Sequence, residues 1–274
     1  MSSLDTPAIA VPEPNEQLRR GRRKFRVDRL LGAVVPALVV VLWYALSRAR
    51  VLPGDLVPGP GEVLQAVAEE AEHGSLFGHI GATLVRIASG FAIGAALGTI
   101  TGAITGYFRR GHQLLDPTLQ ALRSIPSMAW VPLFLLWMGI QESSKVSLIA
   151  LGAFFPVYLN TSAALRSVDP KLIEVGQIFR LSPVQMIRRI LLPASLPQYL
   201  VGLRGGLGLA WMFVVAAEIM GASRGIGYLM EDAQMTGRAA ILLASVILFA
   251  VFGKLTDLIL EAASGYVLRR RGVQ

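Results

Sequence analysis

Apolar residues along this chain gather into six long stretches with almost no charge, at 30–46, 80–108, 119–140, 146–165, 196–220 and 239–259. Each approaches or exceeds the roughly 17–25 residues that carry a helix across a bilayer. The pattern predicts an all-α membrane protein with six transmembrane helices, the first over 29–47. Basic residues precede that first stretch, as in a secretory leader, but they begin near Arg19 and no small-x-small cleavage site follows Leu46. An uncleaved span is therefore expected. Residues 48–79 form an outer loop in which Pro53, Gly54, Pro58, Gly59, Pro60 and Gly61 precede EVLQAVAEEA, a turn followed by a short surface helix.

Two stretches carry internal punctuation. Gly90, Gly94, Gly98, Gly102 and Gly106 recur every four residues and so share one helix face, where small residues let backbones approach closely in lipid. A tight structural seam is the plainer reading, and a seam that slides during transport the other. Pro126 and Pro132 fall at the start of the third stretch and predict a kink, which lipid tolerates only where neighbouring helices or a water-lined cavity satisfy the freed backbone groups.

Composition agrees with a lipid solvent: 53% of the 274 residues are hydrophobic and 16% charged, against about 25% charged in soluble domains. The net charge of +8 could suggest nucleic acid, so the position of the charges decides. With the N-terminus inside, 18 of the 26 Lys and Arg residues fall on inner segments, which sets both termini in the cytoplasm of an inner-membrane, multi-pass protein. The basic surplus is topological, and no nucleic-acid partner is implied. Residues 1–28 mix proline with charge and lack an apolar period, so a disordered cytoplasmic tail touching lipid headgroups is expected; residues 266–274 form a second basic cytoplasmic tail. The membrane core spans 80–265.

Ionisable residues within spans are costly and count as candidates for function: Arg86, Arg204, Glu218, Lys254 and Asp257. Lys254 and Asp257 lie near the inner end of the last span, where snorkelling or mutual pairing accounts for them. Glu218 suits an ion pair holding the bundle or a pathway residue equally. Arg86, Trp130, Trp211 and Glu218 are the candidate translocation-pathway residues. Cysteine is absent, which excludes disulfides and thiolate chemistry. His73, His79 and His112 are isolated, so no metal site is expected. No catalytic set and no cofactor motif is visible, and the fragment Gly253-Lys254 lacks the remainder of a phosphate-binding loop.

The segment DPKLIEVGQIFRLSPVQMIRRILLPASLP, residues 169–197, reads as two short helices over 169–193. Asp169 caps the first with Pro170 at its first position; Ser182, Pro183 and Gln185 give a capping box for the second; Pro193 ends it. A DNA-binding helix-turn-helix would share the outline, but a fragment strung between two spans cannot easily enter a major groove. The segment resembles the cytoplasmic loop of inner-membrane permeases of binding-protein-dependent ATP-binding-cassette importers. Their pattern is E-A-A, three residues, G, nine residues, I-x-L-P. Here Glu174, Ile190 and Pro193 hold that spacing, with Val175 and Gly176 for the alanines and Arg180 for the glycine. If the family's glycine adopts positive φ, Arg180 carries a strain of about 1–2 kcal/mol, or the turn differs.

The stretches TLVRIASGFAIGAALGTITG, DPTLQALRSIPSMAWVPLFLLWMGIQESSK and GIGYLMEDAQ are similar to the branch that imports sulfonates, taurine, nitrate or bicarbonate. The resemblance implies a type I importer permease bundle working as a homodimer, with two ATPase subunits inside and a solute-binding protein outside. It also implies that Glu174, Val175, Gly176, Arg180, Leu181, Ser182, Ile190 and Pro193 dock the ATPase. An ion-coupled secondary transporter would instead show paired intramembrane carboxylates and an inverted repeat; a membrane enzyme would need convergent catalytic side chains. The sequence offers neither.

Overall fold

The computed structural model describes residues 34–49 and 56–271. The expected tail at 1–28, the start of the first span, the Pro53-Gly54 turn and the last three residues lie outside the described residues. All described elements are helical. The chain divides into two compact units, residues through Gly61 and residues from Glu62 onward.

In the first unit, the described part of the first apolar stretch is α1 (Val34–Arg48), and its Trp43 Nε1 donates to Pro58 O at 3.2 Å. The surface helix expected after the Pro-Gly turn is α2 (Pro60–Glu72), which buries Val63 and Ala66. Ala66 packs with Leu76, Leu229, Ala233 and Ile241.

Four helices of the second unit are long and apolar enough to cross a membrane. They are α3 (Ser75–Tyr107), α6 (Glu142–Arg166), a continuous run over Pro183–Ile219, and α11 (Ala239–Arg270). Among the described residues of this unit, α4 (Arg109–Arg123) and α5 (Ser127–Met138) supply a fifth crossing if they count together, and these meet at 98°. The third stretch, expected as one span over 119–140, is therefore broken. Pro126 has no N–H to donate and excludes the residue before it from helical geometry, so the helix stops at Arg123 and restarts at Ser127. At 1.5 Å per residue the twelve residues of α5 reach only about 18 Å, well short of a bilayer core of about 30 Å.

The core is built on the glycine seam. A Cβ on Gly94 would lie 2.2 Å from Ala150 O, one on Gly98 2.7 Å from Phe154 O, and one on Gly102 2.7 Å from Tyr158 O. Backbone of α6 thus fills the space where side chains of α3 would be. The second seam lies between α6 and α9 (Leu192–Ile219), where a Cβ on Gly206 would meet Ala153 O at 3.0 Å. Ile149, Ala153, Ala210 and Val214 are fully buried between them.

The connection between α6 and α9 holds α7 (Pro170–Ile178) and α8 (Pro183–Met186). Pro193 does not end the second helix, as the sequence suggested. A π-turn over Ile187–Leu191 joins α8 to α9 without a stop. The wider turn makes room for the Pro193 ring, which would clash with the carbonyl four residues back in a regular helix.

Candidate coupling surface and translocation cavity

The segment over 169–193 is organised by its caps. Asp169 Oδ1 accepts from Lys171 N at 2.9 Å with Pro170 behind it, and Ser182 and Gln185 exchange the reciprocal bonds of a capping box. Between the two helices the chain reverses in a Schellman turn: Leu181 N donates to Gly176 O at 3.0 Å and Arg180 N to Gln177 O at 2.9 Å. The residue at the left-handed position is Arg180, with φ of 49°, the one non-glycine with positive φ among the described residues. The geometry that the family pattern assigns to glycine is thus retained, with arginine bearing its strain.

Gly176 is needed for a different reason. A Cβ there would lie 2.7 Å from Ile190 Cδ1 and 2.8 Å from Met186 Sδ, so the two short helices touch across it. Ile190 therefore closes the turn from inside, while Pro193 sits just past the π-turn. The outward face carries Leu172, Val175, Ile178, Phe179 and Val184, with Ile178 at 78% and Phe179 at 74% exposure. Glu174, Ser182, Arg188 and Arg189 are exposed as well, and Leu181 is half-buried. An apolar rim of this kind on a capped, rigid turn is suited to insertion into a groove on another protein. Arg180→Gly is expected to raise thermal stability by about 1 kcal/mol by removing left-handed strain, whereas Arg180→Val should lower it. Unfolding of the purified protein in detergent, followed by circular dichroism, checks both signs.

The pathway candidates separate into three places. Arg86 and Glu218 meet in a polar cluster at the end of the bundle away from the coupling turn along α9. Arg86 Nη1 donates to Glu218 Oε1 at 2.8 Å, and Arg86 Nε and Nη2 donate to Glu142 at 2.6 and 2.7 Å. Thr83 Oγ1 donates to Glu218 and accepts from Ile226 N at 2.8 Å; Gly227 N donates to Glu218 Oε2 at 2.8 Å. The carboxylate and hydroxyl therefore cap α10 (Ile226–Met235), whose first N–H groups have no partner within the helix. Gly225 at φ 138° brings the chain against the carboxylate, with room for no Cβ.

The sequence reading missed Thr83 and Glu142 as members of this cluster. A signal existed: Arg86 lies four residues before Gly90, on the stripe that faces α6, and Glu142 opens α6. Trp211 faces elsewhere. Its Nε1 donates to Thr256 Oγ1 at 2.9 Å and its ring meets Phe249 edge-on, so it packs α9 against α11. On the same helix pair Arg204 makes two 2.9 Å bonds to Asp257, and Lys254 joins Asp257 at 3.2 Å.

Trp130 is the candidate that lines open space. A cavity of about 420 Å³ lies between the α4–α5 bend, the middle of α6 and the middle of α9. Its wall includes Arg123, Ser127 and Asn160 as polar residues and Trp130, Phe155, Leu209 and Phe213 as large apolar ones. Pro156 lies in the wall too, and Asn160 Nδ2 donates back to Pro156 O at 2.9 Å. Among the described residues no three His, Asp or Glu side chains come together as a metal site.

Comparison with known proteins gives a consistent picture. Residues 82–267 match the family described as binding-protein-dependent transport system inner membrane component. The permease protein SsuC of Bacillus subtilis (strain 168), named for aliphatic sulfonates transport, is 40% identical over 251 residues, covering 91% of each chain. SsuC of Escherichia coli (strain K12), named likewise, is 40% identical over 223 residues, covering 81% of this chain and 85% of that one. A solved structure of the MetNI methionine ABC transporter in an inward-facing conformation superposes with a TM-score of 0.56 at 19% identity, covering 72% of this chain and 94% of that chain. That likeness concerns the fold.

Proposed function

Because the chain belongs to the binding-protein-dependent transport system inner membrane components, and is a transport subunit rather than an enzyme, we propose that it forms the membrane path of an ATP-driven importer of small anionic solutes. Aliphatic sulfonates are the cargo class favoured by its relatives, with taurine- and nitrate-type anions in the same branch. In this reading six spans cross the inner membrane, α1 and the broken α4–α5 pair included, with both termini, α7 and α8 inside and α2 and α10 outside. Two copies assemble, two ATPase subunits dock inside, and a solute-binding protein delivers cargo from outside.

The observation that carries the proposal is the capped turn over 169–193 with its exposed apolar rim. A side chain as exposed as Phe179 costs hydration on a free surface and gains it back in a partner's groove. ATP-driven closure of the docked subunits would press on this turn and reorient the bundle. Glu174, Val175, Gly176, Arg180, Leu181, Ser182, Ile190 and Pro193 serve the coupling either by contact or by shaping the turn.

Co-expression with a candidate ATPase subunit of an importer of this family provides the test. Wild-type chain should retain the ATPase through purification and, once reconstituted, support ATP hydrolysis. Phe179→Asp and Glu174→Arg should each weaken association by about 30-fold or more, the loss typical of a central interface residue, while leaving insertion unchanged. Equal ATPase retention by both variants would remove residues 169–193 from the interface.

A further inference from the structure

We propose that the cavity at the α4–α5 bend is a cargo site that reads both ends of an amphipathic organic anion, holding its acidic head at Arg123 and its alkyl part against Trp130 and Phe213. The inference rests on the importer reading and adds that this chain takes part in choosing the cargo.

The charge arrangement is the first support. Arg86, Lys145 and Arg204 each have a carboxylate within 3.4 Å. Arg123 has no such partner among the described residues; its guanidinium reaches only the Gln120 side chain, at 3.4 Å. No acidic side chain lines the cavity. Its wall therefore bears one uncompensated positive charge, and a guanidinium matches the planar array of oxygens on a sulfonate or carboxylate. Ser127, just past the helix break at Pro126, offers a hydroxyl to the same cavity, and Asn160, which accepts from Gln198 at 3.2 Å, also lines it.

The second support is the remainder of the wall. Trp130, Phe155, Leu209 and Phe213 would meet nothing if the occupant were a small inorganic anion. A neutral apolar occupant would leave Arg123 unanswered. The volume of about 420 Å³ falls within the roughly 300–1,000 Å³ usual for small-molecule sites. Each methylene buried on such a wall should tighten binding about fourfold.

The full-length protein in nanodiscs of zwitterionic lipid, titrated calorimetrically with ethane-, butane- and hexanesulfonate and with nitrate, gives the measurement. The expected result is affinity that climbs with chain length, with nitrate far weaker. Arg123→Gln should abolish the response to all sulfonates, and Arg123→Lys should restore part of it. Trp130→Ala should flatten the chain-length series, with the unfolding midpoint measured alongside to separate lost packing against the Val131 and Phe213 cluster from lost binding. Affinity independent of chain length, or binding that survives Arg123→Gln, would overturn the site. Suppression of sulfonate binding by phosphatidylglycerol in the nanodisc would assign the cavity to lipid instead and overturn it equally. Absence of any sulfonate binding by protein that still retains its ATPase would remove the site and leave the importer reading intact; absence of both would sink the two together.

Discussion

Glu218→Ala should destabilise the bundle by about 3 kcal/mol, towards the lower end of what removing one partner of a buried ion pair costs. Glu218 is fully buried and Arg86 is 5% exposed. The substitution leaves the guanidinium still joined to Glu142, which is why the lower end of the range applies. It also orphans Thr83 Oγ1 as a donor and Gly227 N at the start of α10, and the roughly 1–3 kcal/mol that an unsatisfied buried group costs is part of that loss. Helix α10 should loosen first, since its cap is what disappears. Two measurements check this: the midpoint of thermal unfolding, and hydrogen exchange at Ile226 and Gly227, whose protection should fall further than that of α6. Glu218→Gln keeps the shape and one acceptor and should fall between the two. A loss below about 1 kcal/mol for Glu218→Ala would show that the cluster is not a structural anchor.

Gly94→Ala carries the second large effect, and its sign separates the two readings of the glycine seam. A methyl at Gly94 would sit 2.2 Å from a backbone oxygen and 2.8 Å from the Ala153 Cβ, so neither neighbour is a flexible side chain that can turn away. The helices must part, and every close contact along α3 and α6 is then lengthened. About 3 kcal/mol is expected, at the upper end of the cost of overpacking a tight interior. Gly208→Ala supplies the contrast. Nothing lies within 4 Å of its Cβ position, and alanine is the better helix former by about 1 kcal/mol, so stability should rise. If Gly94→Ala unfolds where wild type does, while transport slows, the seam is a sliding one and the close approach belongs to a single state.

The helical architecture was legible because a bilayer enforces it: a charge-poor stretch of twenty residues has few alternatives. The caps at Asp169 and Ser182 were legible for the same local reason, being decided by residues three positions apart. What the sequence hid was decided at longer range. Pro126 announced a break, but whether a kink or a 98° turn follows depends on what receives α5. Pro193 looked like a stop because proline usually is one; the π-turn that absorbs it has no sequence signature beyond the proline itself. Arg86 and Glu218 were visible as costly charges, yet their meeting across 132 positions is a property of how α3 and α9 cross. Trp211 and Trp130 are alike on a hydropathy plot. Only packing tells that one plugs a helix pair and the other faces a cavity.

The unbroken run from Pro183 to Ile219 has a mechanical meaning. Its 37 residues make a strut of about 55 Å, clasped at one end by Gly176 through Met186 and Ile190, and riveted at the other through Glu218 to the cap of α10. A push or twist applied at the Gly176 clasp would meet two softer points, Pro197 inside α9 and the π-turn at Ile187–Leu191, where one loosened loop of backbone can take up torque. Stiffening that loop would alter how much of each stroke arrives at the far rivet, and so the tightness with which the two faces of the membrane keep time.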